Sequence, residues 1–132
     1  MTSPHAQPFR DQPTPFRDDQ GRVVVVVPCF NEERRLDRDA FARFLQRAEP
    51  GLRLFLVNDG SDDRTLERLR ELAAHHPERL DLLDLTRNVG KAEAVLQGVL
   101  KGLKRWPSAE FVGYWDADLA TPLEEIPGFL RV

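Results

Sequence analysis

Short apolar runs alternate along the chain with longer stretches whose apolar residues recur every three or four positions. Val23 to Val27 is five β-branched residues in a row, and a run without polar alternation suits a strand buried on both faces of a sheet. Leu36, Ala40, Phe41, Phe44, Leu45 and Ala48 follow at helical spacing, and Pro50-Gly51 ends that helix. Leu52 to Val57 predicts a second strand. Leu66, Leu69, Leu72 and Ala73 predict a helix running to His76-Pro77, and Leu80 to Leu85 a third strand. Ala92, Val95, Leu96, Val99, Leu100 and Leu103 line a third helix, and Phe111 to Trp115 make a fourth strand. Thr121-Pro122-Leu123-Glu124 is a capping box with proline at the first helical position, so a fourth helix is expected to begin there.

Strand and helix in alternation imply an α/β fold, a mostly parallel sheet with right-handed crossovers and helices on its faces. Ligands of such sheets bind at the carboxyl ends of the strands. Residues 1 to 21 break the pattern. They hold four of the ten prolines and contain Pro-Phe-Arg-Asp twice, at Pro8 to Asp11 and Pro15 to Asp18. A polar, proline-rich terminus of this kind reads as a flexible leader, and residues 22 to 132 as the domain.

Composition narrows the function. A chain of 132 residues is one domain, and 41% hydrophobic residues supply a core without disulfide or metal staples. The net charge of -3 offers no field to hold a polyanion, so nucleic acid is not an expected partner. The single cysteine, Cys29, makes no internal disulfide and is read as a packing residue. The longest unbroken apolar run is far short of the roughly 20 residues that span a bilayer, and Met1 to Gln20 lacks the apolar stretch of a signal peptide. A cytoplasmic protein without a membrane segment in this chain is expected.

Every strand end then carries groups able to do chemistry: Pro28-Cys29-Phe30-Asn31-Glu32, Asn58-Asp59-Gly60-Ser61-Asp62-Asp63, Arg87-Asn88-Val89-Gly90-Lys91 and Asp116-Ala117-Asp118. Any one of these could simply cap a helix or make a turn. Four on one edge of one sheet, with two pairs of carboxylates, exceed what caps require. Asp116-x-Asp118 is the sharpest signal, because side chains two apart in a strand point the same way and can face one cation. Hard oxygen ligands suit Mg²⁺ or Mn²⁺, which share their remaining positions with water and substrate phosphates.

Other phosphate sites fail on the letters. A P-loop would need glycine where Leu85 stands and Ser or Thr where Ala92 stands, and no Gly-x-Gly-x-x-Gly follows any strand. His75 and His76 fall at the far end of the second helix, which leaves a Ser or Cys nucleophile without its base. Lys101, Lys104 and Arg105 are cations in the last turns of a helix, where they complement its dipole. An aspartyl phosphatase would need the threonine one position earlier than Thr121 and the acidic motif after the first strand.

Val-Pro-Cys-Phe-Asn-Glu at 27 to 32, Asn-Asp-Gly-Ser-Asp-Asp at 58 to 63, Arg-Asn-Val-Gly-Lys at 87 to 91 and Asp-Ala-Asp-Leu-Ala-Thr-Pro at 116 to 122 resemble the nucleotide-sugar half of family 2 glycosyltransferases. The last string is particularly like the dolichyl- and polyprenyl-phosphate sugar transferase branch, whose acceptors are polyprenyl phosphates or glycans of the cell envelope. The resemblance implies a Rossmann-like GT-A fold, a UDP- or GDP-sugar donor and inversion at the anomeric carbon. It places Pro28 and Glu32 beside the base and ribose, gives Asp59 to the base, and counts Asn31, Gly60 and Ser61 among the nucleotide-sugar-binding residues. Asp116 and Asp118 would hold ribose and the metal-diphosphate, with Lys91 near the nucleotide. Relatives often have glycine after that lysine, where Ala92 stands here. The acceptor site and general base of such enzymes lie beyond the metal motif, and 14 residues follow Asp118. The chain is thus expected to be the donor-binding part of a longer protein and inactive alone. A nucleotide-binding or regulatory module without transfer activity is the alternative.

Overall fold

The computed structural model describes residues 19–117. The leader up to Asp18, the expected fourth helix at Thr121 and one predicted metal ligand, Asp118, lie outside them. Four strands and three helices alternate: β1 (Val23–Cys29), α1 (Arg38–Arg47), β2 (Leu52–Asp59), α2 (Thr65–His75), β3 (Leu80–Leu85), α3 (Lys91–Arg105) and β4 (Phe111–Tyr114). All pairings are parallel, in the order β3-β2-β1-β4. The elements predicted within the described residues are all present there, each within two residues of its expected bounds.

The chain starts at β1, steps outward to β3, then returns through α3 to the other side of β1. Right-handed crossovers therefore send α1 and α2 to one face and α3 to the other, which opens a crevice at the tips of β1 and β4.

The two faces are packed differently. Val23, Val25, Val27, Leu52, Leu54 and Leu56 meet Phe41, Phe44 and Leu45 of α1 and Leu69 and Leu72 of α2, all buried. Large side chains fill this layer, each stabilising the fold by roughly 1.5–3 kcal/mol. On the opposite face Val24, Val26, Phe55 and Val57 already project, and α3 lies close on them through its small residues Ala94, Gly98 and Gly102. A Cβ on Gly98 would stand 2.5 Å from a methyl of Val26 and 3.1 Å from one of Val57. The helix thus forms where the periodicity predicts, but its leucines do not face the sheet: Leu96, Leu100 and Leu103 are 43–51% exposed. Hydrophobic spacing points to a leucine stripe, whereas the crowded valine and phenylalanine surface takes glycine and alanine at closest approach, with Val99 packed at the side.

The amino ends of the strands are closed by long cations. Arg105 donates to Asp81 at 3.1 Å, both nearly buried, and its guanidinium stacks 5.1 Å from the Trp106 ring, which meets Phe55 edge-on. The predicted dipole role of Arg105 is thus joined by a buried ion pair that ties α3 to β3.

Candidate functional site

At the carboxyl ends of the strands lies a cleft of about 460 Å³. Of the predicted site residues, Pro28 and Glu32 line it from the β1 loop, Asp59 from β2, Lys91 from the head of α3 and Asp116 from the tip of β4. Phe30, Asn88 and Gly90, to which the sequence assigned no role, join them in the wall.

Asn31, Gly60 and Ser61 stand behind this surface and bind the loops to one another. Asn31 adopts a left-handed backbone, φ 53°. Its N–H donates to Ser61 Oγ at 3.0 Å, and its Oδ1 accepts from the N–H of Asp62 at 2.8 Å. Ser61 Oγ in turn donates to Asn58 Oδ1 at 2.6 Å, while the Asn58 amide donates to Asp84 at 2.8 Å. The brace continues one turn on. The N–H of Glu32 donates to the buried hydroxyl of Thr65 at 2.8 Å, that of Glu33 to Asp63 at 3.4 Å, and that of Arg64 to Glu33 at 3.1 Å. Asp63 also accepts from the N–H and hydroxyl of Thr65 at the start of α2. Partial burial raises its pKa, but these hydrogen bonds outweigh that and hold the carboxyl below its ordinary value.

Asp59 links the second loop to the third. Its carboxylate, 2% exposed, accepts from the N–H of Val89 at 2.7 Å, the N–H of Gly90 at 3.1 Å and the Asn88 amide at 3.2 Å. Asn88 also donates to the Asp59 carbonyl at 3.1 Å. Beside it Gly60, φ 64°, lies so close that a Cβ would meet the Arg87 carbonyl carbon and the Asn88 nitrogen at 2.2 Å. Only glycine fits there.

The fourth wall is held more lightly. Lys91 Nζ lies 2.5 Å from Asp116 Oδ1 and 5.4 Å from the centre of the Tyr114 ring, and both members of the ion pair are more than half exposed. Exposed pairs of this kind contribute about 0–1 kcal/mol. Among the described residues, no three His, Cys, Asp or Glu side chains converge as a metal cage. Asp116 is an accessible carboxylate at the mouth, the kind of hard oxygen ligand that Mg²⁺ or Mn²⁺ would take together with water and diphosphate oxygens. Cys29 is 1% exposed beneath the cleft, as the packing role predicts. Burial, and secondarily the charge of Glu32, push its thiol far above the ordinary cysteine range, so it is no nucleophile at neutral pH.

Residues 24–132 match the sequence profile of Glycosyl transferase family 2. The chain belongs to that family. It is 35% identical over 83% of its length to an undecaprenyl-phosphate 4-deoxy-4-formamido-L-arabinose transferase of Pectobacterium carotovorum, of which it covers 33%. It is 33% identical over 86% of its length to a dolichyl-phosphate beta-glucosyltransferase of Trichomonas vaginalis, covering 34% of that protein. Among solved structures it is similar to a mannosyltransferase of Pyrobaculum calidifontis in complex with GDP-Man and Mn²⁺. The TM-score is 0.56 and the identity 26%, over 90% of this chain and 33% of that one. The fold is the α/β, Rossmann-like GT-A type, and the Pectobacterium and Trichomonas relatives are lipid-phosphate sugar transferases, the branch the motifs resemble. The family 2 chain spans about a third of their length. No helix among its described residues is long and apolar enough to cross a membrane.

Proposed function

We propose that this family 2 chain binds a UDP- or GDP-sugar for inverting transfer to a polyprenyl-phosphate or glycan acceptor. The observation that carries the reading is the pairing of Lys91 and Asp116 in a cleft at the strand tips that Pro28 and Glu32 also line. A nucleoside diphosphate needs those two kinds of surface. Pro28 and Phe30 offer an apolar edge for the base, with Glu32 as acceptor for ribose hydroxyls, while Asn31, Gly60 and Ser61 hold that wall in shape. Lys91 offers a cation to the diphosphate. Asp116 and Asp118 would hold Mg²⁺ or Mn²⁺, which when bound neutralises the diphosphate and makes it a better leaving group. The Mn²⁺ and GDP-Man bound by the Pyrobaculum relative support this assignment.

Transfer to an acceptor calls for a second binding surface and in-line placement, and orientation of that kind is worth several powers of ten in rate. Relatives three times as long carry that capacity in their full length, so donor binding without turnover is expected of this chain alone. Calorimetry with UDP, UDP-glucose, GDP and GDP-mannose, each with Mn²⁺ and with chelator, tests the reading. Binding of one base series that needs Mn²⁺ is expected; equal binding in chelator would remove the metal from it, and no binding by any of the four would remove the nucleotide sugar.

A further inference from the structure

We infer that Lys91 guards the metal position: its ammonium occupies Asp116 until a diphosphate draws it away, so that divalent cation and diphosphate load together. The inference rests on the nucleotide-sugar reading and adds to it a reason for the contact between the two residues.

Lys91 stands at the wrong end of its helix for a cation. It is the first residue of α3, where the dipole favours anions, and Glu93 in the same turn has the expected sign. Lys104 and Arg105, in the last turn, follow the rule. The ammonium of Lys91 reaches across to the tip of β4, 25 residues away in the chain, and lies 2.5 Å from Asp116 Oδ1 and 5.4 Å from the centre of the Tyr114 ring. Helix packing does not call for this contact. α3 is already seated on the sheet through Ala94, Gly98 and Gly102, and a pair more than half exposed contributes little to stability. Both side chains line the cleft, where a ligand meets them.

The two partners differ in freedom. Asp116 sits between anchored neighbours: the N–H of Trp115 donates to the Val26 carbonyl at 2.9 Å, and Ala117 is 2% exposed. Lys91 carries its charge on a long flexible stem. The carboxylate is therefore the fixed member and the ammonium the one that moves. A divalent cation arriving alone meets a carboxylate oxygen already engaged, and the displaced ammonium stays nearby and repels it. A diphosphate removes that obstacle, because its oxygens are charged acceptors that the ammonium can follow. Asp116 is then released to the cation, which shares the same diphosphate. By linkage, each of the two ligands tightens the other by an equal factor.

The test titrates Mn²⁺ alone into the 132-residue chain and its Lys91→Met, Lys91→Arg and Lys101→Met variants, reading free Mn²⁺ by electron paramagnetic resonance. UDP and GDP are then titrated with saturating Mn²⁺ and with chelator. Lys91→Met is expected to bind Mn²⁺ alone about fivefold more tightly than the parent, the upper end of what an exposed pair withholds, although it binds the diphosphate more weakly. The gain in diphosphate affinity from Mn²⁺ should fall by a similar factor. Lys91→Arg keeps a cation on Asp116, and Lys101→Met removes the same charge about 15 Å further along α3, so both should stay within about twofold of the parent for Mn²⁺ alone.

A lysine that only binds diphosphate predicts weaker UDP or GDP with Mn²⁺ alone unchanged, and that result in Lys91→Met overturns the guard. Equal tightening in Lys91→Arg or Lys101→Met does so too, since the contact with Asp116 would then not matter. Failure of parent and Lys91→Met alike to bind Mn²⁺ under any condition also overturns it. Should Lys91→Met not fold, Lys91→Gln removes the same charge and must give the same result. A parent that binds neither UDP nor GDP defeats the nucleotide-sugar reading, and the titration of Mn²⁺ alone still decides whether Lys91 holds Asp116 against it.

Discussion

The cleft has a braced side and a loose side. Around β1, β2 and β3 the loops are cross-linked by several backbone N–H groups donating to side chains of a neighbouring loop, those to Thr65 and Asp59 partly buried. At the tip of β4 the Trp115 N–H donates to the Val26 carbonyl and Ala117 is buried, but the Lys91–Asp116 pair that faces the cleft is more than half exposed. On the proposed reading, the difference suits what each side would bind. A base and ribose are rigid and neutral, so a preformed wall loses little entropy on binding them. A diphosphate brings charge and, with a cation, rearranges its surroundings. Lys91 and Asp116 can part at small cost because water already screens them.

If that contrast is right, substitutions on the braced side should cost stability and those on the loose side should cost ligand response. The largest effect is expected from Gly60→Val, which puts a β-branched residue at φ 64° against backbone 2.2 Å away. It should cost more than about 4 kcal/mol, enough to leave the chain unfolded in a thermal melt. Thr65→Val comes next. It keeps the volume but strips the buried hydroxyl that accepts from Glu32, and a loss of about 1–3 kcal/mol in urea denaturation is expected.

Asn31 separates conformation from bonding. Asn31→Gly keeps the left-handed backbone and loses only the bond to Asp62, whereas Asn31→Ala loses both, so alanine should be the more destabilising by about 1 kcal/mol. Equal cost for the two would mean the backbone there is relaxed. On the loose side Lys91→Met should change stability by less than about 1 kcal/mol, while weakening UDP or GDP in a titration where Leu100→Ser, on the outer side of α3, does not. A Lys91→Met melt shifted as far as that of Thr65→Val would erase the contrast. Smallest of all, Leu100→Ser on the outer side of α3 should leave the melting temperature within a degree or two.

What the letters disclosed and what they hid follow a physical rule. Val23 to Val27 announced β1, because burial on both faces favours an unbroken apolar run, and the leucines of 80–85 gave β3 its bounds although Asp81 sits buried among them, paired with Arg105. The strand-end clusters located the cleft, and Pro28, Glu32, Asp59, Lys91 and Asp116 all line it. The division of labour among them was out of reach. Asp59 finds partners in the N–H groups of Val89 and Gly90, and a backbone N–H has no letter of its own. Asn88 was quoted within its motif yet given no task; an Asn-x-Gly before a helix was the available hint. The orientation of α3 was hidden for a related reason. Hydrophobic spacing counts the leucines and is silent on Gly98 and Gly102, although the absence of side chains there decides the contact.

Cys29 turns the fold into its own reporter. The thiol sits at the end of the central strand, 1% exposed, with Sγ 3.4 Å from the Val27 carbonyl. Because Cys29 lies at the floor of the cleft, a maleimide or disulfide reagent reaches it when the loops around the strand tips open, so the labelling rate of this single cysteine measures how often the carboxyl end of the sheet is uncovered. It needs no engineered probe, and it leaves every surface position free to carry one.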